Sequence, residues 1–484
     1  MIALRLGEIA EIVGGHLDGG ADPAAVVTAP VSFDSRSVFP GGLFLALPGE
    51  RVDGHDFVRA AMDAGAVAVL AERPVEVPCV VVPDGRAALA VLAAAVVRRL
   101  PDLTVVGVTG SSGKTSTKDL IAALLARRGR TVAPPGSFNN ELGHPYTVLL
   151  ADEATRFLVL EKSARGLGHI AYLSAIAPPR IGVVLNVGHA HIGEFGSQAA
   201  IAQAKGELVE ALPPAERGGV AVLNVDDPAV AAMSSRTAAR VVGVGESARA
   251  DVRAEDVALD DLGRASFTLV AGAGAHRSPV RLRVTGEHQV GNALAAAAVA
   301  LECGLPGAEV AETLGRTGAA SRWRMEVTER ADGVVVVNDA YNANPESMAA
   351  ALKTLAGMGR RRRTWAVLGA MGELGEQSRQ AHDAIGRLAV RLDIGTVLAV
   401  GDAARPLAQG AALEGSWNGE AAWVPDVDAA LARLRSEVRP GDVVLVKASR
   451  AEGLERVAAG LLAEPTEPTE PTEPAAGSEP RSGR

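Results

Sequence analysis

The segment VVGVTGSSGKTSTKDLIAALLARRG, residues 105–129, limits the possible folds more than any other stretch of this chain. An apolar run to Val108 reads as a buried strand, a glycine-rich turn follows, and Leu120, Ile121, Leu124 and Leu125 then share one face of a helix. Strand, loop and helix in that order make a phosphate site. Gly110, Ser111, Ser112 and Gly113 offer backbone N–H groups and a helix N-terminus to a phosphate chain, which predicts a nucleoside triphosphate such as ATP. Lys114 adds a mobile positive charge, and the hydroxyl of Thr115, followed by Ser116, suits Mg²⁺. The spacing departs from GxxxxGK[ST], because the residue five before Gly113 is Val108 and Gly110 stands three before it. The competing reading, a glycine turn with an incidental lysine, leaves the correct flanking elements unexplained. Lys118, one helical turn on, is expected to be solvated.

Around this loop there is chain enough for several cores: 484 residues, at about 150 per domain, give roughly three domains. Charged residues are 22% and the apolar set 48%, which excludes general disorder. Forty-eight Lys and Arg against 57 Asp and Glu leave a net charge of −9, so no whole-chain field draws the protein to nucleic acid or an anionic membrane. Two cysteines, Cys79 and Cys303, make neither a disulfide framework nor a cysteine metal site, and they fit a reducing compartment. Glu8 and Glu11 break the opening MIALRLGEIAEIVGGHL, which reads as a short amphipathic helix and not as a secretory signal. The longest uncharged apolar run, residues 87–97, is 11 residues, against the roughly 20 that span a bilayer. A cytoplasmic protein with no membrane insertion is expected.

The pattern predicts an α/β protein of three domains. Residues 1–100 alternate β-rich runs (26–33, 43–47, 66–70, 79–82) with helical patterns at 55–64 and 86–100. Residues 101–316 hold the phosphate loop in a long alternation of strands and helices. In residues 317–463 VVVVN, TWAVLG, TVLAVG and VVLVK recur as buried strands between helices, which reads as a parallel, Rossmann-like sheet. There Asn344 can cap a helix that starts at Pro345 and buries Met348, Leu352 and Leu355. From Glu464 the repeat EPTEPTEPTEP has nothing apolar to bury and reads as a disordered, extended tail.

Three further constellations bear on chemistry. FLVLE delivers Glu161 to the C-terminal end of a strand, where open α/β sheets bind ligands and a carboxylate suits a metal. In IGVVLNVGHAH, His189 and His191 lie two apart and point to one side of an extended chain, so either can ligate Mg²⁺ or Mn²⁺ beside the nucleotide. In SQAAIAQAKGELVEAL, Ile201, Lys205, Leu208 and Leu212 form one stripe, so Lys205 faces inward. A desolvated lysine can stay neutral and take up CO₂ as a metal-bridging carbamate, or it can snorkel along the helix; spacing leaves both open.

GSSGKTS, FNNELGHP, the strand-ending glutamate, NVGHAH, FGS followed by QAKGEL, LNVDDP, GEHQVGNALAAAAVA and NDAYNANPESM, in this order, resemble the Mur ligases. The resemblance covers almost the whole chain before the tail. SFDSRSVFPGGLFLALPGERVDGHDF is similar to the uridine-nucleotide domain of the members that join D-alanyl-D-alanine to UDP-N-acetylmuramoyl-tripeptide. The resemblance implies an ATP-dependent amide ligase of peptidoglycan precursor synthesis, and a monomer is expected. The N-terminal domain holds the UDP-sugar peptide, the centre holds ATP, and the C-terminal domain closes over both. A substrate carboxylate takes the γ-phosphate as an acyl phosphate, and the dipeptide amine displaces phosphate.

Carried over by position, Thr115, Glu161 and His191 match the family's Mg²⁺ residues, Lys205 the carbamylated lysine and Lys114 the phosphate lysine. Asn292 matches an adenine-contacting asparagine and Arg324 the interdomain arginine near the phosphates. Asp339, Tyr341 and Asn342 match the block that docks on ATP. Asn139, Asn140 and Glu141 match the loop at the reacting end of the substrate, and Asp34, Ser35 and Arg36 the segment that touches the UDP-sugar. Lys447, Ser449 and Arg450 suit the carboxylate of the incoming dipeptide.

One departure stands out. The family follows its metal glutamate with an apolar residue, Gly and Ala, whereas this chain has Lys162, Ser163 and Ala164. Lys162 can pair with Glu161, compete with a cation, or point to the opposite face as strand neighbours do; the last is the expectation. Two other functions are weighed: a Mur-type amide ligase of another pathway with a different carboxylate or amine, and a non-catalytic ATP-binding switch protein.

Overall fold

The computed structural model describes residues 1–49, 52–134, 136–188, 192–415 and 417–463. His189, His191 and the segment from Glu464 lie outside the described residues. Three larger sheets organise the described residues, and the inner parallel strands of each are apolar, β-branched runs buried on both faces.

The N-terminal sheet runs His16–Asp18, Cys79–Val81, Ala68–Ala71, Leu43–Leu45, Val31–Ser32, parallel except at its first pair. The run read as 26–33 is interrupted at Pro30: Val26–Val27 pairs antiparallel with Leu4–Arg5, and only Val31–Ser32 joins the sheet. Proline has no N–H to give a ladder. The helix Gly85–Arg98 starts at Asp84, whose carboxylate accepts from two backbone N–H groups, and it buries Leu89, Leu92 and Val96.

The central sheet has nine strands. Its parallel part runs Thr131–Val132, Phe157–Glu161, Thr104–Thr109, Ile181–Val184, Val220–Asn224, Arg240–Gly245 and Val252–Leu259. Arg264–Ala271 and His276–Thr285 then extend it antiparallel, a departure from the expected strand–helix alternation. These strands alternate buried and exposed residues, as half-covered antiparallel strands do. Over the sheet lies Gln289–Glu302, whose alanines let it pack close to Lys114–Leu125.

The C-terminal sheet runs Glu326–Glu329, Val335–Asn338, Val443–Lys447, Thr364–Leu368, Thr396–Val400, Glu420–Val424. All its pairs are parallel except the first, so the Rossmann-like reading gains one antiparallel edge strand. Among the described residues no helix is long and apolar enough to cross a membrane.

Candidate active site

Strand Thr104–Thr109 sits inside the parallel sheet and releases the chain into the glycine turn. Gly113 has a φ of 81°, and a Cβ there would stand 2.4 Å from Asn292 Oδ1, so both backbone and space require glycine. Lys114–Leu125 begins at the next residue, with its unpaired N–H groups toward the turn. Lys114 Nζ donates to the Gly110 carbonyl at 2.6 Å. Burial pulls its pKa down, and the nearby Glu161 carboxylate opposes that shift. Asn186, just past strand Ile181–Val184, fixes the loop: its Oδ1 accepts from Ser112 N–H at 2.9 Å and its carbonyl accepts from Ser111 N–H at 3.1 Å. Sequence reasoning passed over Asn186; its one signal was its place after a buried strand at the ligand-binding edge.

Glu161 ends strand Phe157–Glu161 fully buried. Its Oε2 accepts from Ser137 Oγ at 3.1 Å and from Asn139 Nδ2 at 3.4 Å, while Oε1 is buried with no protein partner. Such an orphaned carboxylate oxygen costs about 1–3 kcal/mol and is what a cation would satisfy. Among the described residues no group of three or more His, Cys, Asp or Glu could hold a metal. An ion here would therefore draw on Glu161, the Thr115 hydroxyl and phosphate oxygens, a hard donor set that fits Mg²⁺. His191, which the resemblance adds to this set, lies outside the described residues.

Lys205 is buried on helix Gln198–Glu210 beside buried Ile201 and Leu208, facing inward as its stripe predicts. Burial pushes its pKa well below the usual lysine value, and the charge of Lys114 adds to the effect. Lys162 does lie on the face opposite Glu161. Its Nζ reaches His144 Nε2 at 3.1 Å and the carbonyl of Leu173 at 3.0 Å, away from the cleft. Lys118 corrects an expectation: it is not solvated but 1% exposed, held by backbone carbonyls and Asp119.

The C-terminal sheet brings its residues to the same place. Arg324 Nη2 donates to Thr115 Oγ1 at 3.1 Å, and the guanidinium lies 4.0 Å from the centre of the Tyr341 ring. Its neighbours Trp323 and Met325 hold left-handed φ angles of 59° and 49°. Asp339 Oδ1 accepts from Met325 N–H at 3.0 Å, and Asp339 Oδ2 accepts from Lys447 Nζ at 2.6 Å. Lys447 Nζ also donates to the Asn342 carbonyl at 2.8 Å, so this buried lysine braces the 339–342 loop. Ser449 Oγ accepts from Gly372 N–H at 2.7 Å. Arg450 stacks on Trp323 at 4.3 Å and pairs with Glu455. Asn344 caps helix Pro345–Met358 as expected and also donates to the Ser111 carbonyl at 3.2 Å.

Ser111–Ser116 positions, Asn139, Arg324, Asp339, Tyr341, Asn342, Lys447 and Ser449 line a cleft of about 500 Å³, with Glu161 and Lys205 buried outside its lining. Asn140 and Glu141 line it too, with Asn140 Oδ1 accepting from Gly143 N–H at 2.8 Å. A second cleft of about 540 Å³ shares His288 and Ala350 with the first and contains Asn186, Asn292 and Lys353. Asn292 thus faces the second cleft from beside Gly113. Asp34, Ser35 and Arg36 line neither. They form a separate turn in which Arg36 holds the Asp34 carboxyl down at about 2. Phe33, next to that turn, meets Tyr146 edge-on at 5.1 Å, and Tyr146 packs on Phe138, beside Asn139.

Residues 29–117 match the family model described as Mur ligase family, catalytic domain; 108–300 match the Mur ligase middle domain, and 323–450 the Mur ligase glutamate ligase domain. The chain belongs to the Mur ligase family. It is 54% identical over 509 residues to a Mycobacterium tuberculosis protein named UDP-N-acetylmuramoyl-tripeptide--D-alanyl-D-alanine ligase, covering 96% of this chain and 99% of that one. The Escherichia coli K12 protein of the same name is 34% identical over 467 residues, covering 95% and 99%. Among solved Mur ligases, MurF from Acinetobacter baumannii superposes with a TM-score of 0.84 at 31% identity, covering 95% and 99%. MurF ligase from Thermotoga maritima in complex with ADP gives 0.76 at 31% identity, covering 90% and 97%.

Proposed function

We propose that this Mur ligase joins D-alanyl-D-alanine to UDP-N-acetylmuramoyl-tripeptide at the expense of ATP. One observation carries the reading: Arg324 of the C-terminal lobe and Thr115 of the phosphate-loop helix meet at 3.1 Å, where the terminal phosphate of a nucleotide on this loop would lie. ATP would place its phosphates along residues 110–116 and its adenosine in the adjoining cleft beside Asn292. Thr115, Glu161, His191 and a carbamate on Lys205 would hold Mg²⁺, which supplies charge neutralisation between anions that otherwise repel.

The substrate carboxylate forms a bond to the γ-phosphorus as the bond to ADP breaks, giving an acyl phosphate. The dipeptide amine then adds to the acyl carbon, loses a proton and expels inorganic phosphate. Lys114 and Arg324 offset the developing phosphate charge. Asn139, Asn140 and Glu141 would face the reacting end of the peptide, and Ser449 and Arg450 the dipeptide carboxylate, with Lys447 bracing the loop behind them. The turn of Asp34, Ser35 and Arg36 would meet the UDP-sugar. We place the domain boundaries near residues 100 and 316 and the reaction in the cytoplasm.

ADP formation with UDP-N-acetylmuramoyl-tripeptide, with and without D-alanyl-D-alanine, tests the reading. Release that requires both supports it; turnover indifferent to either would replace it with an amide ligase of other substrates. ATP binding without amide formation would favour a switch protein.

A further inference from the structure

Lys118 sits one turn beyond Lys114 on the phosphate-loop helix, behind the cleft wall and 1% exposed. Its ammonium has three hydrogens and three acceptors: the Pro134 carbonyl at 2.5 Å, the Gly136 carbonyl at 3.1 Å and Asp119 Oδ1 at 2.8 Å. A buried ammonium is tolerated only when so satisfied, and the geometry is then stiff. Gly136, held at a φ of 73°, turns the chain so that the next residues enter the cleft. Ser137 Oγ donates to Glu161 Oε2 at 3.1 Å, and Asn139 Nδ2 donates to Ser137 Oγ at 2.7 Å and to Glu161 Oε2 at 3.4 Å. The Asn139 carbonyl in turn accepts from Ser163 N–H at 3.3 Å, which closes the loop onto the strand that carries Glu161.

We propose that Lys118 is a positioning residue that fixes residues 136–139 against the phosphate-loop helix and so aims Glu161 at the ion and Asn139 at the substrate. The two halves of the site, the nucleotide cradle and the carboxylate loop, are then set at a constant distance by one buried cation. The proposal rests on the reading above that Glu161 faces a metal next to the nucleotide. The side chains of Lys114 and Thr115 have other partners, the Gly110 carbonyl and Arg324, so removing the Lys118 ammonium leaves their contacts in place.

The test is Mn²⁺ affinity in the presence of ADP, followed by electron paramagnetic resonance, in the full chain and in Lys118→Met. Losing a group that orients a metal-binding carboxylate weakens metal binding by about 10-fold or more, and that is the expected shift. ADP affinity without metal should stay within about 3-fold, and the KM for the UDP-linked tripeptide should rise while the KM for ATP does not. A merely structural role would lower the melting temperature and weaken ADP, metal and peptide together, which would overturn the proposal. Unchanged Mn²⁺ affinity would overturn it as well. If the unsubstituted chain takes up no Mn²⁺ with ADP, the metal reading itself fails and carries this proposal with it.

Should Lys118→Met not fold, Ser137→Ala breaks the same chain of contacts at its partly exposed end. It should show the same loss of Mn²⁺ affinity, and full retention would count against the path. Where both fold, the double variant should lose no more than the worse single one.

Discussion

Asn344 Nδ2 donates to the carbonyl of Ser111 across 3.2 Å while Oδ1 of the same side chain accepts from Ser347 N–H at 2.8 Å. One amide thus starts a helix of the C-terminal lobe and grips the phosphate loop of the central one. The two tasks separate by substitution. Asn344→Asp keeps the acceptor that caps the helix and loses the donor, so it should hold its melting temperature while kcat/KM for ATP falls about 10-fold. Asn344→Ala loses both and should also cost about 1 kcal/mol of stability, measured by urea unfolding.

Lys205 is buried with its pKa well below the lysine norm, the state in which an amine reacts with CO₂. Protein incubated with ¹³C-bicarbonate should show a bound carbamate resonance. Lys205→Arg, always protonated, should lack both the resonance and more than about 99% of the activity, since the carbamate proposed to help hold Mg²⁺ could not form.

Lys162 has a pKa lowered to about 7 by burial. Its proton is bound more tightly in the unfolded chain than in the folded one, so the charge costs stability below the ordinary lysine pKa of 10.5, and most near pH 7 and below. Lys162→Met removes that cost but strands the acceptors on His144 and Leu173, so relative to the unsubstituted chain it should be more favourable at pH 7 than at pH 10 by about 1–3 kcal/mol. Urea unfolding at both pH values reads it. Ligase activity should stay within about 3-fold, because the side chain points away from Glu161.

His382 titrates in the opposite part of the range. Its Nε2 accepts from Met371 N–H at 2.9 Å and its Nδ1 donates to the Ser378 carbonyl at 2.6 Å, so only the neutral ring fits. Burial lowers its pKa from 6.5, and the unfolded chain takes the proton first. Stability should be full above pH 6.5 and fall as the pH drops below it, by at most about 1.4 kcal/mol per pH unit from this group. His382→Gln should flatten that part of the curve.

Much of this site was legible in the chain before any coordinates. The phosphate loop, Glu161 at its strand end, the inward Lys205, the Asn344 cap and the outward turn of Lys162 all follow from local rules of period and capping. Those rules work because each such role depends on neighbours a few residues away. Lys118 was misread for the converse reason. Its partners are carbonyls of residues 134 and 136, and every residue has a carbonyl, so no side-chain pattern marks the contact. The Asn344–Ser111 and Arg324–Thr115 bonds join residues more than two hundred apart, and only the packing of two lobes creates them. The antiparallel end of the central sheet was visible in the alternation of RASFTLVA and HRSPVRLRVT and was absorbed too readily into a strand–helix rhythm.

Both neighbours of Arg324 hold a left-handed backbone, which side chains such as those of Trp323 and Met325 disfavour by roughly 1–2 kcal/mol apiece. The guanidinium is mounted on a sprung arm, not a slack one. Two such residues on either side of one guanidinium persist only where the surrounding packing over-determines them, so the strain of this short stretch goes into aiming Arg324 at Thr115.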